Sequence, residues 1–137
     1  MGLLIPKIIA HRGASHVAPE NSRSAFVATS HYHANWVEFD IQPTKDRELV
    51  VFHDTLLDRT SNGKGPLNEQ TLAALKQLDI GAWFNPQFKD ERIMTLDETM
   101  ALLQAHHLHF NLELKPSMGE DREALDNMLA ILEKHQV

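Results

Sequence analysis

The chain lacks cysteine altogether, so no disulfide staples it and no thiolate can ligate a metal. It is also short of positive charge: 13 Lys and Arg face 19 Asp and Glu, a formal net charge of −6 over 137 residues. Recognition of a nucleic-acid backbone rests on clustered Lys and Arg, so a nucleic-acid partner is not expected. Long hydrophobic runs are missing too. Residues 2–10 are apolar, but the stretch is too short to span a bilayer, lacks a basic n-region and runs straight into His11, Arg12 and Gly13. It reads as a first strand, and the expectation is a cytoplasmic protein without stable membrane insertion. No linker, low-complexity tract or residue-level repeat divides the chain, whose 42% hydrophobic content suits one soluble domain with a modest core.

What is present alternates strand and helix signals. Residues 5–10 and 36–42 read as strands, and 48–53 as a third whose unbroken apolar run implies cover on both faces. Residues 22–34 read as a helix, with Asn21 or Ser22 as cap and Ala25, Phe26, Thr29 and Tyr32 as its inner stripe. Residues 45–47 make a polar turn and 61–66 a loop cluster. A short helix carries Leu72, Leu75 and Leu78, and the irregular stretch 81–90 holds Trp83, Phe84 and Phe88 as a packing cluster. Thr95 and Glu98 have capping-box spacing and open a helix through about Ala105. A fourth strand over 108–115 leads to a last helix after Asp121, with Leu125, Met128, Leu129 and Leu132 as its core stripe. This order predicts a parallel α/β sheet covered by helices. Periodicity leaves an open sheet and a (β/α) barrel both standing, and the polar residues at strand ends lean toward the barrel.

Two strands carry acid on one face and apolar residues on the other. Val37, Phe39 and Ile41 share a face while Glu38, Asp40 and Gln42 share its opposite; Phe110, Leu112 and Leu114 likewise oppose Asn111, Glu113 and Lys115. Like-charged carboxylates on inward faces cost several kcal/mol each unless a cation compensates, which makes Glu38, Asp40 and Glu113 a candidate site for a hard cation with oxygen ligands. His11 and His53 each end a strand, Arg12 follows the first, and Lys115 lies two residues beyond Glu113 on the same face. Two titratable imidazoles, two fixed positive charges and a cation site suit phosphodiester cleavage, which must neutralise phosphoryl oxygens, activate a nucleophile and protonate a leaving alkoxide.

The ordered series His11-Arg12-Gly13, Pro19-Glu20-Asn21, Glu38-Phe39-Asp40, His53-Asp54 with Arg59, Thr60 and Gly63 beyond it, and Glu113-Leu114-Lys115-Pro116 resembles the glycerophosphodiester phosphodiesterases. The resemblance implies a TIM-type (β/α) barrel of phospholipase-C-like phosphodiesterases. It implies a divalent metal, Mg²⁺ or Ca²⁺, held by Glu38, Asp40 and Glu113, an acid/base pair of His11 and His53, and phosphate binding by Arg12 and Lys115. Glu20, Asn21 and Asp54 are expected around the pocket. The implied substrate is a small glycerophosphodiester, hydrolysed to glycerol 3-phosphate and an alcohol, and 56–92 matches the place of a variable insertion.

A (β/α)₈ barrel takes about 250 residues, whereas only four strands are legible here. Residues 1–137 therefore read as the N-terminal portion of such a barrel, about four βα units. Its open sheet edges invite association between copies. Two other readings stay open: a lysophospholipase D-like lipid phosphodiesterase, and a catalytically incomplete half-barrel that binds a metal or a partner. Of the remaining histidines, His31, His33, His106, His107, His109 and His135 read as surface residues.

Overall fold

In a computed structural model, residues 6–115 and 122–137 are described; the expected strand start at Ile5, Pro116 of the last motif and Asp121 lie outside them. The elements are β1 (Ala10–His11), α1 (Arg23–His31), β2 (Trp36–Pro43), β3 (Leu49–Val51), α2 (Leu72–Leu75), α3 (Leu96–Ala105), β4 (His109–Leu114) and α4 (Arg122–Lys134).

β2 is the spine of the sheet. Its Val37, Phe39 and Ile41 are fully buried, and Phe39 packs between Phe26 of α1 and Phe110 of β4 at ring separations of 5.7 and 5.9 Å. β4 runs parallel along one edge of β2, from Trp36 opposite His109 to Ile41 opposite Leu114. β1 pairs parallel with Val37 and Glu38, and β3 pairs antiparallel with Ile41, Gln42 and Pro43. Because β4 already occupies one side of β2 at both levels, β1 and β3 must share the other side. That sharing brings the ends of both strands to the same region.

The sheet is therefore mixed, where a parallel one was expected. Thr44–Glu48 is far too short for a crossover, and a short link permits only an antiparallel return; Thr44 and Glu48 close the turn by a 2.8 Å backbone bond. β3 is shorter than the expected 48–53, yet its apolar run is indeed covered on both faces. Leu49 and Val51 enter the core formed by Phe26, Phe39, Leu96, Met100 and Leu103, while Val50 and Phe52 enter a second core with Leu57, Leu67, Leu75, Ile80 and Ile93 beneath the insertion.

Three apolar expectations fail where the sheet has no neighbour. β1 is a two-residue strand, and Ile8 and Ile9 are exposed, because its outer edge has no partner strand among the described residues. Tyr32 leaves the α1 stripe for solvent, whereas Ala25, Phe26 and Thr29 are buried as expected. On α4, Met128 and Leu132 pack on the core with Ala124 and Ile131, but Leu125 and Leu129 stand exposed on the flank away from the described sheet. By contrast α3 begins as read: Thr95 Oγ1 accepts from the Glu98 N–H and the Glu98 carboxylate accepts from the Thr95 N–H. Trp83, Phe84 and Phe88 stack edge to face with centroids 5.7 Å apart, a packing cluster on the outside of the insertion. His135 is half-buried rather than freely exposed. It joins α4 to α3 through Asp97 at 2.8 Å. No helix among the described residues is long and apolar enough to cross a membrane.

Candidate active site

The polar face of β2 and the segments beside it supply the site. Register does the first part of the assembly: Glu38 stands opposite His11 on β1, and Asp40 opposite Glu113 on β4. One oxygen from each of Glu38, Asp40 and Glu113 lies within 4.8 Å of the others. The three differ sharply in burial. The Asp40 side chain is 2% exposed and that of Glu38 13%, but Glu113 is 54% exposed, against the expectation of an inward face, because β4 is an edge strand among the described residues.

Each carboxylate has a distinct electrostatic setting. Burial, reinforced by the Asp40 charge, pushes the Glu38 carboxyl above its ordinary value. A hydrogen bond from Lys115 holds Glu113 below its own, and Lys115 is raised in turn, mainly by Glu113. The Lys115 ammonium lies 2.7 Å from Glu113 Oε1 and 3.3 Å from Asp40 Oδ1. Asp40 Oδ2 accepts from Asn21 Nδ2 at 3.1 Å and faces Arg12 Nε at 3.5 Å. The donor set fits a divalent cation: three hard oxygens, with Glu38 raised first by burial and then by the neighbouring Asp40 charge.

The chain around Arg12 is shaped by its glycine. Gly13 has φ +80, and a Cβ there would lie 2.8 Å from the Ala25 carbonyl carbon, so only glycine lets this turn press against α1. The Arg12 N–H then donates to Glu38 Oε2 at 3.1 Å, and its guanidinium donates to Glu20 Oε1 at 3.0 Å. His11 Nε2 is 3.7 Å from Glu38 Oε2, with 69% of its side chain open to solvent. Asn21, at φ 55, is buried, and Ser22 caps α1 by accepting the Ala25 N–H.

His53 reaches the site by a route other than the one expected. It does not end a parallel strand; the β2–β3 hairpin folds back, so the Phe52 N–H donates to the Asp40 carbonyl at 3.1 Å. Gln42 Nε2 donates to the carbonyls of Phe52 and Asp54 and pins this segment. His53 Nδ1 is 2.7 Å from Asp54 Oδ1. Asp54 is held well below the usual carboxylate range, first by hydrogen bonds from Arg59 and then by His53, with burial opposing. Burial would raise Glu20 as well, but the guanidinium groups of Arg59 and Arg12 outweigh it and lower the carboxyl. Glu20, His53 and Asp54 also converge within 4.8 Å, but here the Arg59 guanidinium already supplies the positive charge.

All ten candidate residues thus fall in one connected region. Two further participants, Gln42 and Arg59, are read in the sequence only as a strand-face residue and a motif residue, with no role in the site. Gln42 lay on the same strand face as Glu38 and Asp40, and Arg59 five residues beyond Asp54, so the signals were there without a role attached.

The parallel strands β1, β2 and β4 under helices, with polar residues gathered around the strand ends, match the arrangement of (β/α) barrel enzymes. The family model described as the glycerophosphoryl diester phosphodiesterase family matches residues 11–136. The Bacillus subtilis (strain 168) protein YhdW is 48% identical over 126 residues, covering 89% of this chain and 51% of its own length. A glycerophosphodiester phosphodiesterase of the same organism is 35% identical, covering 94% and 46%. Among solved structures, an Oleispira antarctica phosphodiesterase in complex with the product sn-glycerol-3-phosphate superposes with a TM-score of 0.93 at 37% identity, over 96% of this chain and 53% of that one. The chain belongs to the glycerophosphoryl diester phosphodiesterase family, a hydrolase family, and has the fold of part of its barrel. It spans about half the length of the curated relatives it matches.

Proposed function

We propose that this chain is the N-terminal, catalytic half of a glycerophosphodiester phosphodiesterase barrel and that its site cleaves a small glycerophosphodiester to glycerol 3-phosphate and an alcohol. The observation that carries the reading is the convergence of Glu38, Asp40 and Glu113 beside Arg12, Lys115, His11 and His53. Glu38, Asp40 and Glu113 would hold Mg²⁺ or Ca²⁺. When bound, such an ion supplies Lewis-acid polarisation of a phosphoryl oxygen and lowers the pKa of a nearby hydroxyl or water.

The chain's own groups supply the rest. Arg12 and Lys115 offset negative charge on the non-bridging oxygens as it develops. One imidazole of the pair His11 and His53 takes the proton of the attacking oxygen as the new P–O bond forms. The other gives a proton to the departing alkoxide as the old bond breaks. The attacking oxygen is the neighbouring glycerol hydroxyl, through a cyclic phosphate that water then opens. The complementary half of the barrel, docked on the open edges of β1 and β4, forms the walls that select the alcohol.

The test is release of glycerol 3-phosphate from glycerophosphocholine, with and without Mg²⁺ or Ca²⁺, by this chain alone and by the chain joined to the second half of a relative's barrel. Metal-dependent release that falls at least hundredfold in His53→Ala, with KM little changed, is expected. Preferential hydrolysis of detergent-dispersed lysolipid would replace the substrate class, and absence of turnover in both forms would overturn the reading.

A further inference from the structure

Arg59 sits in the loop after β3, outside the set of groups just described, yet its guanidinium touches both halves of the site. Nε and one terminal nitrogen donate to Asp54 Oδ2 at 2.8 Å and Oδ1 at 2.9 Å. The two terminal nitrogens donate to Glu20 Oε2 at 3.0 Å and Oε1 at 2.7 Å. Asp54 Oδ1 is the same oxygen that meets His53 Nδ1, and Glu20 Oε1 is the same oxygen that receives Arg12. One planar cation therefore closes a chain that runs His53, Asp54, Arg59, Glu20, Arg12. No lysine could replace it, because an ammonium has no fixed fork with which to hold two carboxylates in one plane.

The loop is built to deliver this side chain. Ser61 Oγ donates to the Leu57 carbonyl at 2.6 Å and accepts the Gly63 N–H at 3.0 Å, and Leu57 N–H bonds the Gly65 carbonyl at 2.9 Å. Leu57 anchors the loop in the second core. The insertion thus aims one guanidinium at Asp54 and Glu20.

We propose that Arg59 is a positioning residue for the reaction. By forking across Asp54 and Glu20 it holds the Asp54 carboxylate in one orientation, so that His53 carries its proton on Nδ1 and leaves Nε2 as the proton-transferring atom. Through Glu20 it fixes the Arg12 guanidinium toward the phosphoryl group. An ionised carboxylate only accepts hydrogen bonds, so the Asp54–His53 contact selects this tautomer, and orientation of this kind is a recognised lever on imidazole reactivity. The catalytic part of this inference rests on the phosphodiesterase reading, whereas the tautomer part does not.

The experiment uses the full chain and two independent readouts. Long-range ¹⁵N–¹H correlation spectra report which nitrogen of His53 is protonated. In the wild type the neutral ring is expected as the Nδ1–H form. In Arg59→Gln, and to a similar extent in Arg59→Lys, it is expected as an exchanging mixture, with far-ultraviolet circular dichroism unchanged. Kinetics on glycerophosphocholine, in the form of the chain that turns over, then divide the two arms. Asp54→Asn lowers kcat about ten- to hundredfold with KM near wild type, Glu20→Gln raises KM, and Arg59→Gln does both. Added guanidinium partly restores Arg59→Ala. Lys64→Ala, on the same loop with its ammonium against Asp58, leaves spectrum and rates unchanged. An unaltered His53 spectrum in both Arg59 variants overturns the proposal. Absence of hydrolysis by every form, wild type included, overturns the phosphodiesterase reading while the spectra still decide the role of Arg59.

Discussion

Asp40 and Glu113 are register partners across β2 and β4, and among the described residues the Lys115 ammonium is the positive group that both touch. Two carboxylates placed side by side by a hydrogen-bond ladder cannot separate without breaking the sheet. Lys115 offsets part of their repulsion, and a divalent ion between them would offset more. Mg²⁺ or Ca²⁺ is accordingly expected to raise the melting temperature, with a stabilisation of about 2.7 kcal/mol at a hundredfold excess over Kd. Glu113→Gln, at an exposed position, leaves the fold intact and weakens the ion's effect. Thermal melts across a metal titration check both, and melts that ignore the ion argue against a cation site.

Asn21 buttresses Asp40 from the other side. Its Nδ2–H is the buried hydrogen bond to Oδ2, and its backbone sits at φ 55, where Asn is tolerated better than most residues. Asn21→Ala leaves Asp40 short of a donor and strains the turn, at a cost of about 2 kcal/mol. Asn21→Gly relieves the strain without restoring the bond, so its urea midpoint should fall between those of the wild type and the alanine variant. Equal midpoints for all three would deny the bond any energetic role.

Acid should loosen the His53 end of the site. In the unfolded chain Asp54 titrates near its ordinary 3.8, and in the folded chain lower, because Arg59 and His53 bond its ionised form. The folded state thus binds this proton less readily. Its stabilising contribution is present above the unfolded value and is lost as pH falls through the lower folded value. Denaturant midpoints compared at about pH 6 and about pH 3 should drop in the wild type and drop less in Asp54→Asn. A parallel drop in both proteins would assign the acid limb to other carboxylates.

Gly13 is expected to tolerate no side chain. In Gly13→Ala the methyl would meet the Ala25 backbone at 2.8 Å and Phe26 Cδ1 at 2.9 Å, in a left-handed conformation. The combined clash and strain amount to about 2–4 kcal/mol. A urea midpoint lowered at unchanged slope is the expected signature, and a wild-type midpoint would show that the turn moves freely away from α1.

Local rules carried much of the fold into plain view. The capping box at Thr95 and Glu98 and the two-faced β2 were readable because each depends on residues a few positions apart, whose geometry the helix and strand periods dictate. The hairpin was equally local, since the brevity of Thr44–Glu48 rules out a crossover, but the apolar run of β3 concealed it by resembling a parallel strand. Ile8, Tyr32, Leu125 and Leu129 could not be placed from periodicity. An apolar stripe says that a face seeks cover, and only the packed sheet shows whether a neighbour stands there.

By itself the sequence determined the residue types, their alternation along each strand and the order of their motifs, hence the family and the chemistry on offer. Only the tertiary structure decided that Asp40 is buried while Glu113 is open, that His53 arrives on the return arm of a hairpin, and that Arg59 ties Asp54 to Glu20. The physical reason is range. Side-chain direction follows from bonds between adjacent residues, whereas strand register, edge position and a guanidinium reaching back 39 residues in sequence to Glu20 exist only once distant segments have packed.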